Sequence, residues 1–253
     1  VATLKYGSRG DAVKRLQRAL NDNPYRKPSR NLVVDGQFGT LTAAAVQGTK
    51  FWMGYPKSGV RPVAGDPFMA LATKRKPLPV TYRVRRNLRI KNLKEKRAAT
   101  QQQTNLRLRA LDIIKGELGT LEKPKNSNHI KYNTWWGWGK VAYCVIGISW
   151  AWVKAGSKAF LRGVRWANTD VMLEDAKAER HGIHLTSNPK PGCPGVIDFD
   201  GHSDPDHAIT FVKDNGDGTC QTIEFNTVGP SGLEGVFNKR RPLRNCWWFT
   251  VQK

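Results

Sequence analysis

One cysteine, Cys144, opens an apolar run from Tyr143 to Trp152, after a loop rich in Trp and Gly. Further on, the chain changes to alternation at Asp206-His207-Ala208-Ile209-Thr210-Phe211-Val212. An apolar run of that length reads as a buried helix, and alternation of period two reads as a strand with one face inward. A Gly/Asp turn follows at Asp214 to Gly218, and the next strand-like segment carries Glu224 and Asn226, two residues apart and so on one face. His207 follows Cys144 by 63 residues, and Glu224 and Asn226 follow His207 by 17 and 19. A thiol at a helix start is favoured as thiolate, its reactive form, and a strand-borne imidazole is the base it needs. A free cysteine in an apolar helix is also ordinary core, and a histidine leading a strand is commonly structural. Spacing alone leaves both readings open.

The net charge of +22 is unevenly placed. Residues 1–72 hold 11 basic and 4 acidic residues, 73–110 hold 13 and 1, and 111–253 hold 18 and 15. The segment from Lys74-Arg75-Lys76-Pro77 through Arg83-Val84-Arg85-Arg86 to Lys94-Glu95-Lys96-Arg97 and Gln101-Gln102-Gln103 begins with proline and turns helix-like. We expect a solvated connector there, extended or partly helical. Clustered cations suit a polyanion, whether nucleic acid, anionic lipid or an anionic wall polymer. At 253 residues, with 39% apolar content, the chain has room for two cores. No run reaches the roughly 20 apolar residues of a membrane span, and Val1 to Lys5 has neither the charge nor the apolar stretch of a secretory signal. The expectation is a soluble protein made in the cytoplasm, and a monomer.

Cys144, Cys193, Cys220 and Cys246 are too few and too spread for a disulfide scaffold or a paired Cys-x-x-Cys zinc site; a contact between Cys220 and Cys246 stays open. Asp198, Asp200, Asp204 and Asp206 loosely follow calcium-loop spacing, but the twelfth position from Asp198 is Ile209 rather than Glu, which reads as a solvated loop. No metal and no cofactor are expected. Trp135, Trp136 and Trp138 cluster before Cys144 and suit stacking on a substrate, whereas Trp150 and Trp152 read as core.

Glu117 to Pro124, Asn128, Trp135-Trp136-Gly137, the Cys144 helix, Asp206-His207-Ala208-Ile209 and Ile223-Glu224-Phe225-Asn226-Thr227 together resemble the CHAP (cysteine, histidine-dependent amidohydrolase/peptidase) family over about residues 106–253. The resemblance implies a papain-like α+β fold that cleaves peptidoglycan amide bonds. In it Cys144 is the nucleophile, His207 the general base, Glu224 the residue orienting the imidazole and Asn226 the polar residue beside it. Trp135, Trp136, Trp138 and Tyr143 become the expected substrate contacts. Tyr143 stands where the family often has Trp, and Phe225 where it often has Gly. Some members bind calcium through acids before the nucleophile, but residues 126–140 contain none, so no such site is expected.

Residues 3–72 resemble a second family, the small three-helix peptidoglycan-binding domain. The resemblance rests on Leu4 to Gln17, on Val34-Asp35-Gly36-Gln37-Phe38-Gly39-Thr40-Leu41-Thr42 and on Ala45-Val46. Val13, Leu16 and Leu20 share one helical face, and Asp35-Gly36 with Phe38-Gly39 make a tight connector. Thr49-Lys50 replaces the family's Phe-Gln, with Phe51-Trp52 displaced by two. Asp35, Phe38 and Trp52 are the expected wall contacts. The combined expectation is an α+β chain with a peptidoglycan-binding domain at 1–72, a basic linker at 73–105 and a CHAP domain at 106–253. This is the plan of a bacteriophage endolysin acting at the bacterial cell wall after the membrane is permeabilised, with peptidoglycan and anionic wall polymers as partners. A non-catalytic wall-binding protein and a basic nucleic-acid-binding protein remain the alternatives.

Overall fold

The computed structural model describes residues 2–26, 31–161 and 166–252. The chain is α+β, with helices and one antiparallel six-stranded sheet, and it divides into compact units at Val1–Ala98 and Ala99–Lys253. Among the described residues no helix is long and apolar enough to cross a membrane.

In the first unit, α1 (Asp11–Asn21), α2 (Thr40–Met53) and α3 (Asp66–Ala72) enclose a core that includes Val13, Leu16, Leu20, Phe38, Val46, Met53 and Phe68. The helical spacing of Val13, Leu16 and Leu20 puts all three inward, and Gln17 is buried with them. Its amide donates to Asp35 at 2.8 Å and accepts from the backbone N–H of Gly36 at 2.9 Å, so one buried polar side chain braces the connector into α2. Gly36 has φ +74, a conformation glycine takes at little cost, and an added Cβ would lie 3.2 Å from the Gly10 carbonyl oxygen. Thr49 and Lys50 are buried, with the Lys50 ammonium 5.5 and 5.3 Å from the ring centroids of Tyr55 and Phe68.

Of the two conformations expected for the basic segment, the helical one is found from Val80 onward, as part of one helix, α4 (Val80–Gly116), and the two compact units divide within it. Three arginines in its first part meet partners in the first unit. Arg85 donates to the Gly54 carbonyl at 2.9 Å, and Arg89 to the carbonyls of Phe51 and, at 2.6 Å, Tyr55. Arg86 lies 5.1 Å over the Tyr25 ring. Carbonyls at a helix end lack intrahelical partners and carry the negative end of its dipole, so Arg85 and Arg89 act as a cationic cap on α2.

In the second unit the end of α4 turns Leu106, Ala110, Leu111 and Ile114 inward. Next come α5 (Lys131–Trp136), α6 (Cys144–Lys154) and α7 (Thr169–Lys177), the last capped by Asn168, whose side chain accepts from the N–H groups of Asp170 and Val171. The strands are β1 (Ile183–Thr186), β2 (Pro194–Ile197), β3 (His207–Asp214), β4 (Thr219–Val228), β5 (Glu234–Pro242) and β6 (Cys246–Val251), in the order β1-β6-β2-β3-β4-β5. Apolar side chains cover both faces. One face meets α6 through Val145, Ile146, Ile148 and Trp152, and the other holds Cys193, Ile197, Ile209, Phe211 and Trp248. All four cysteines are free, and the Cys246 thiol donates to the Pro242 carbonyl oxygen at 3.2 Å.

Candidate active site

Cys144 is the first residue of α6, where the backbone N–H groups have no helical acceptor and the positive end of the dipole lies. His207 begins β3, and Glu224 stands on β4, the next strand. The packing of α6 on these strands sets the thiol against the imidazole. Nε2 of His207 lies 3.3 Å from Oε2 of Glu224, which leaves Nδ1 for Cys144. The Nε2 contact falls short of a well-aligned hydrogen bond.

The three ionisations support one another. Burial opposes ionisation of Cys144, but hydrogen bonding to His207 and its charge, with backbone hydrogen bonds at Ala208 and Val145, bring the thiol below its ordinary value. Burial likewise lowers His207, but its interactions with Cys144 and then Glu224 raise it to about 9. Burial raises Glu224, while Arg241 first and His207 next bring it down to about 2. A thiolate and an imidazolium are therefore the favoured states between the lowered thiol and about pH 9.

Asn226 is elsewhere. The β4–β5 register shifts between Glu224 and Thr227, and Asn226 sits in that irregularity with φ +54. The bulge breaks the alternation that put Glu224 and Asn226 on one face. The side-chain oxygen of Asn226 accepts from the backbone N–H of Tyr143 at 2.8 Å, and its amide donates to Asn128 at 3.3 Å. Asn226 thus fixes the residue before Cys144 and has no hydrogen bond to the imidazole. Phe225, between the two polar residues, is buried against Gly147 of α6, where a Cβ would come within 2.3 Å of its ring.

Of the expected substrate contacts, Trp138 is 54% exposed and Trp135 half-buried, but Trp136 and Tyr143 are core and present no surface for binding. Tyr143 packs against Tyr132 at 5.7 Å, and burial followed by the charge of Glu122 keeps its phenol protonated above the ordinary range. In the first unit Phe38 is likewise core, which corrects its reading as a wall contact; its apolar ring fills the space between helices. Asp35 is exposed beside a cavity of about 460 Å³ lined also by Leu32, Val33, Thr40 and Leu41, and Trp52 is half-buried, edge-on to Phe51.

Arg241 and Phe199 have no place in the sequence reading. Arg241 sits in Lys239-Arg240-Arg241, a run that reads as solvated surface, yet it forks onto Glu224 at 2.8 and 2.6 Å. Phe199 stacks on His207 with centroids 6.0 Å apart and lies 4.7 Å from the Arg241 guanidinium. The loop carrying it gathers the carboxylates of Asp198, Asp200 and Asp206 within 4.8 Å of one another. Each accepts from a backbone N–H of the same loop, including Gly201 for Asp198 and Phe199 for Asp206, both at 2.6 Å. Compared with protein-family models, curated proteins and solved structures, the chain matches none of them.

Proposed function

We propose that this chain is a cysteine-dependent peptidoglycan hydrolase of the endolysin kind, with a papain-like catalytic unit and an N-terminal peptidoglycan-binding unit of the three-helix type. The observation that carries the reading is the placement of Cys144 at the start of α6 and of His207 at the start of β3, with the buried Glu224 carboxylate 3.3 Å from the imidazole; the lowered thiol and the raised base agree with it. His207 takes the Cys144 proton, and the thiolate attacks the carbonyl carbon of a stem-peptide or muramoyl amide. The backbone N–H of Cys144, at the start of α6, is the natural donor to the resulting oxyanion. The imidazolium protonates the leaving amine, leaving a thioester that water, deprotonated by His207, hydrolyses to the acid and the free thiol. Peptidoglycan gives the half-exposed Trp135 and exposed Trp138 sugar rings and peptide stems to stack on. The site of action is the bacterial wall, reached once the membrane has been opened.

Mass spectrometry of muropeptides released from purified walls tests the reading. A new amine on the stem's L-alanine identifies an amidase, and a cut within the stem or cross-bridge identifies an endopeptidase. Walls left intact by the wild-type chain under reducing conditions would leave a wall-binding protein instead. Binding to DNA but not to walls at matched salt would favour a nucleic-acid binder.

A further inference from the structure

Glu224 is completely buried, and each of its oxygens is engaged. Oε1 accepts from the Thr222 hydroxyl at 2.6 Å and from Arg241 Nε at 2.8 Å, while Oε2 accepts from the second arm of Arg241 at 2.6 Å and faces His207. A buried carboxylate with no cation beside it takes up a proton. A planar guanidinium meeting both oxygens also fixes the plane of the carboxylate, which an ammonium does not do. Phe199 stacks on the imidazole with centroids 6.0 Å apart and lies 4.7 Å from the guanidinium, so one ring touches both partners of Glu224. We propose that Arg241 is a positioning residue for the Cys144–His207 pair: it holds Glu224 ionised and in one orientation, with Oε2 turned to the imidazole.

An ion pair that only joined β4 to β5 would leave the thiol indifferent to it. Here Arg241 engages both oxygens, and one of them, Oε2, also faces His207, so the two are coupled. The titratable groups around Glu224 are His207 from β3, Arg241 from β5, Cys220 on β4 and Cys246 at the start of β6; Cys144 of α6 faces His207. Without Arg241 the carboxyl group tends to its neutral form, the imidazolium loses its anionic acceptor, and the thiolate loses its counter-ion.

The proposal rests on Cys144 being the nucleophile, so the test reads the thiol directly as well as turnover. In the full chain, the rate of Cys144 alkylation by iodoacetamide is followed against pH by mass spectrometry of its peptide, alongside wall hydrolysis. Arg241→Met should move the onset of alkylation up by about one pH unit, a tenfold loss of thiolate below it. Arg241→Lys should recover part of this shift, and Glu224→Gln/Arg241→Met should be no worse than Glu224→Gln alone. An unmoved titration in Arg241→Met overturns the proposal, as does a double variant whose losses multiply. Should Arg241→Met fail to fold, the Lys and double variants decide: wild-type titration and turnover in Arg241→Lys also overturn it. A wild-type chain that leaves walls intact while the titration still shifts with Arg241 removes the hydrolase reading and leaves the Arg241 assignment standing.

Discussion

The side-chain oxygen of Asn226 accepts a hydrogen bond from the backbone N–H of Tyr143 at 2.8 Å, so a bulge in β4 fixes the residue from which the Cys144 helix starts. Asn226→Ala leaves that N–H without its acceptor, at a cost of about 1–3 kcal/mol. It should lower the thermal midpoint and slow wall hydrolysis. Asn226→Asp, which still accepts, should retain more of both. Equal loss in the two variants would show that the amide's donation to Asn128 matters more.

Cys144→Ala and His207→Ala should abolish lysis while leaving the fold intact, and Glu224→Gln should retain some activity, because an amide oxygen still accepts from the ring but does not stabilise its charge. Turbidity loss of purified walls together with circular dichroism checks this. Residual lysis above a few per cent in Cys144→Ala removes the nucleophile assignment.

The proposed reaction requires thiolate and imidazolium together, so activity should rise with pH through the lowered Cys144 value and fall through about 9 as His207 loses its proton. The same groups couple to stability. His207, raised in the folded chain, contributes fully below its unfolded value and progressively less as pH rises through about 9; Glu224, depressed, contributes above its unfolded value and is lost as pH falls through about 2. Initial rates across pH 4–10 and unfolding midpoints across pH 2–10 read both. A rate that keeps climbing past pH 9 contradicts the imidazolium's part.

Gly147→Ala should destabilise the second unit by about 1–3 kcal/mol, because the new methyl would sit 2.3 Å from the Phe225 ring. The Phe225→Leu background should relieve part of the loss. Denaturant unfolding of the single and double variants measures the coupling, and simple additivity would mean that the ring moves aside freely.

Neutralising Lys74, Arg75, Lys76, Arg83, Lys91 and Lys94, which are exposed, should weaken wall association and flatten its salt dependence, since exposed charges are screened beyond about 8 Å at physiological ionic strength. Hydrolysis of a small soluble muropeptide should stay near the wild-type rate. Arg85 and Arg89 belong in a separate variant: they hold the end of α2, and their loss should lower the stability of the first unit. Unchanged wall binding at low and raised salt would reduce the outer basic face to a solvated surface.

Lysis should survive excess chelator. The proposed mechanism draws on no metal, and the carboxylates of Asp198, Asp200 and Asp206 are each engaged by backbone N–H groups of their own loop. Loss of activity restored by calcium or zinc would assign those aspartates a ligand role.

Local pattern determined the helix at Cys144, the strand at His207, the turn at Asp214 to Gly218 and the inward face of α1, because burial along one element repeats with that element's own period. The α+β class itself was implied by the family resemblance and not by pattern. Only tertiary structure decided what each polar group meets. Asn226 left the face of Glu224 because a bulge at a positive φ reverses alternation, and Phe38, Trp136 and Tyr143 went to the core because an aromatic ring near a glycine looks the same in sequence whether it lines a groove or fills one. Arg241 stands 17 residues from Glu224 in a run of cations, and Arg85 and Arg89 lie more than 30 residues from the carbonyls they cap. Such pairings are long-range, and a charged side chain shows no sequence period that separates a buried partner from water.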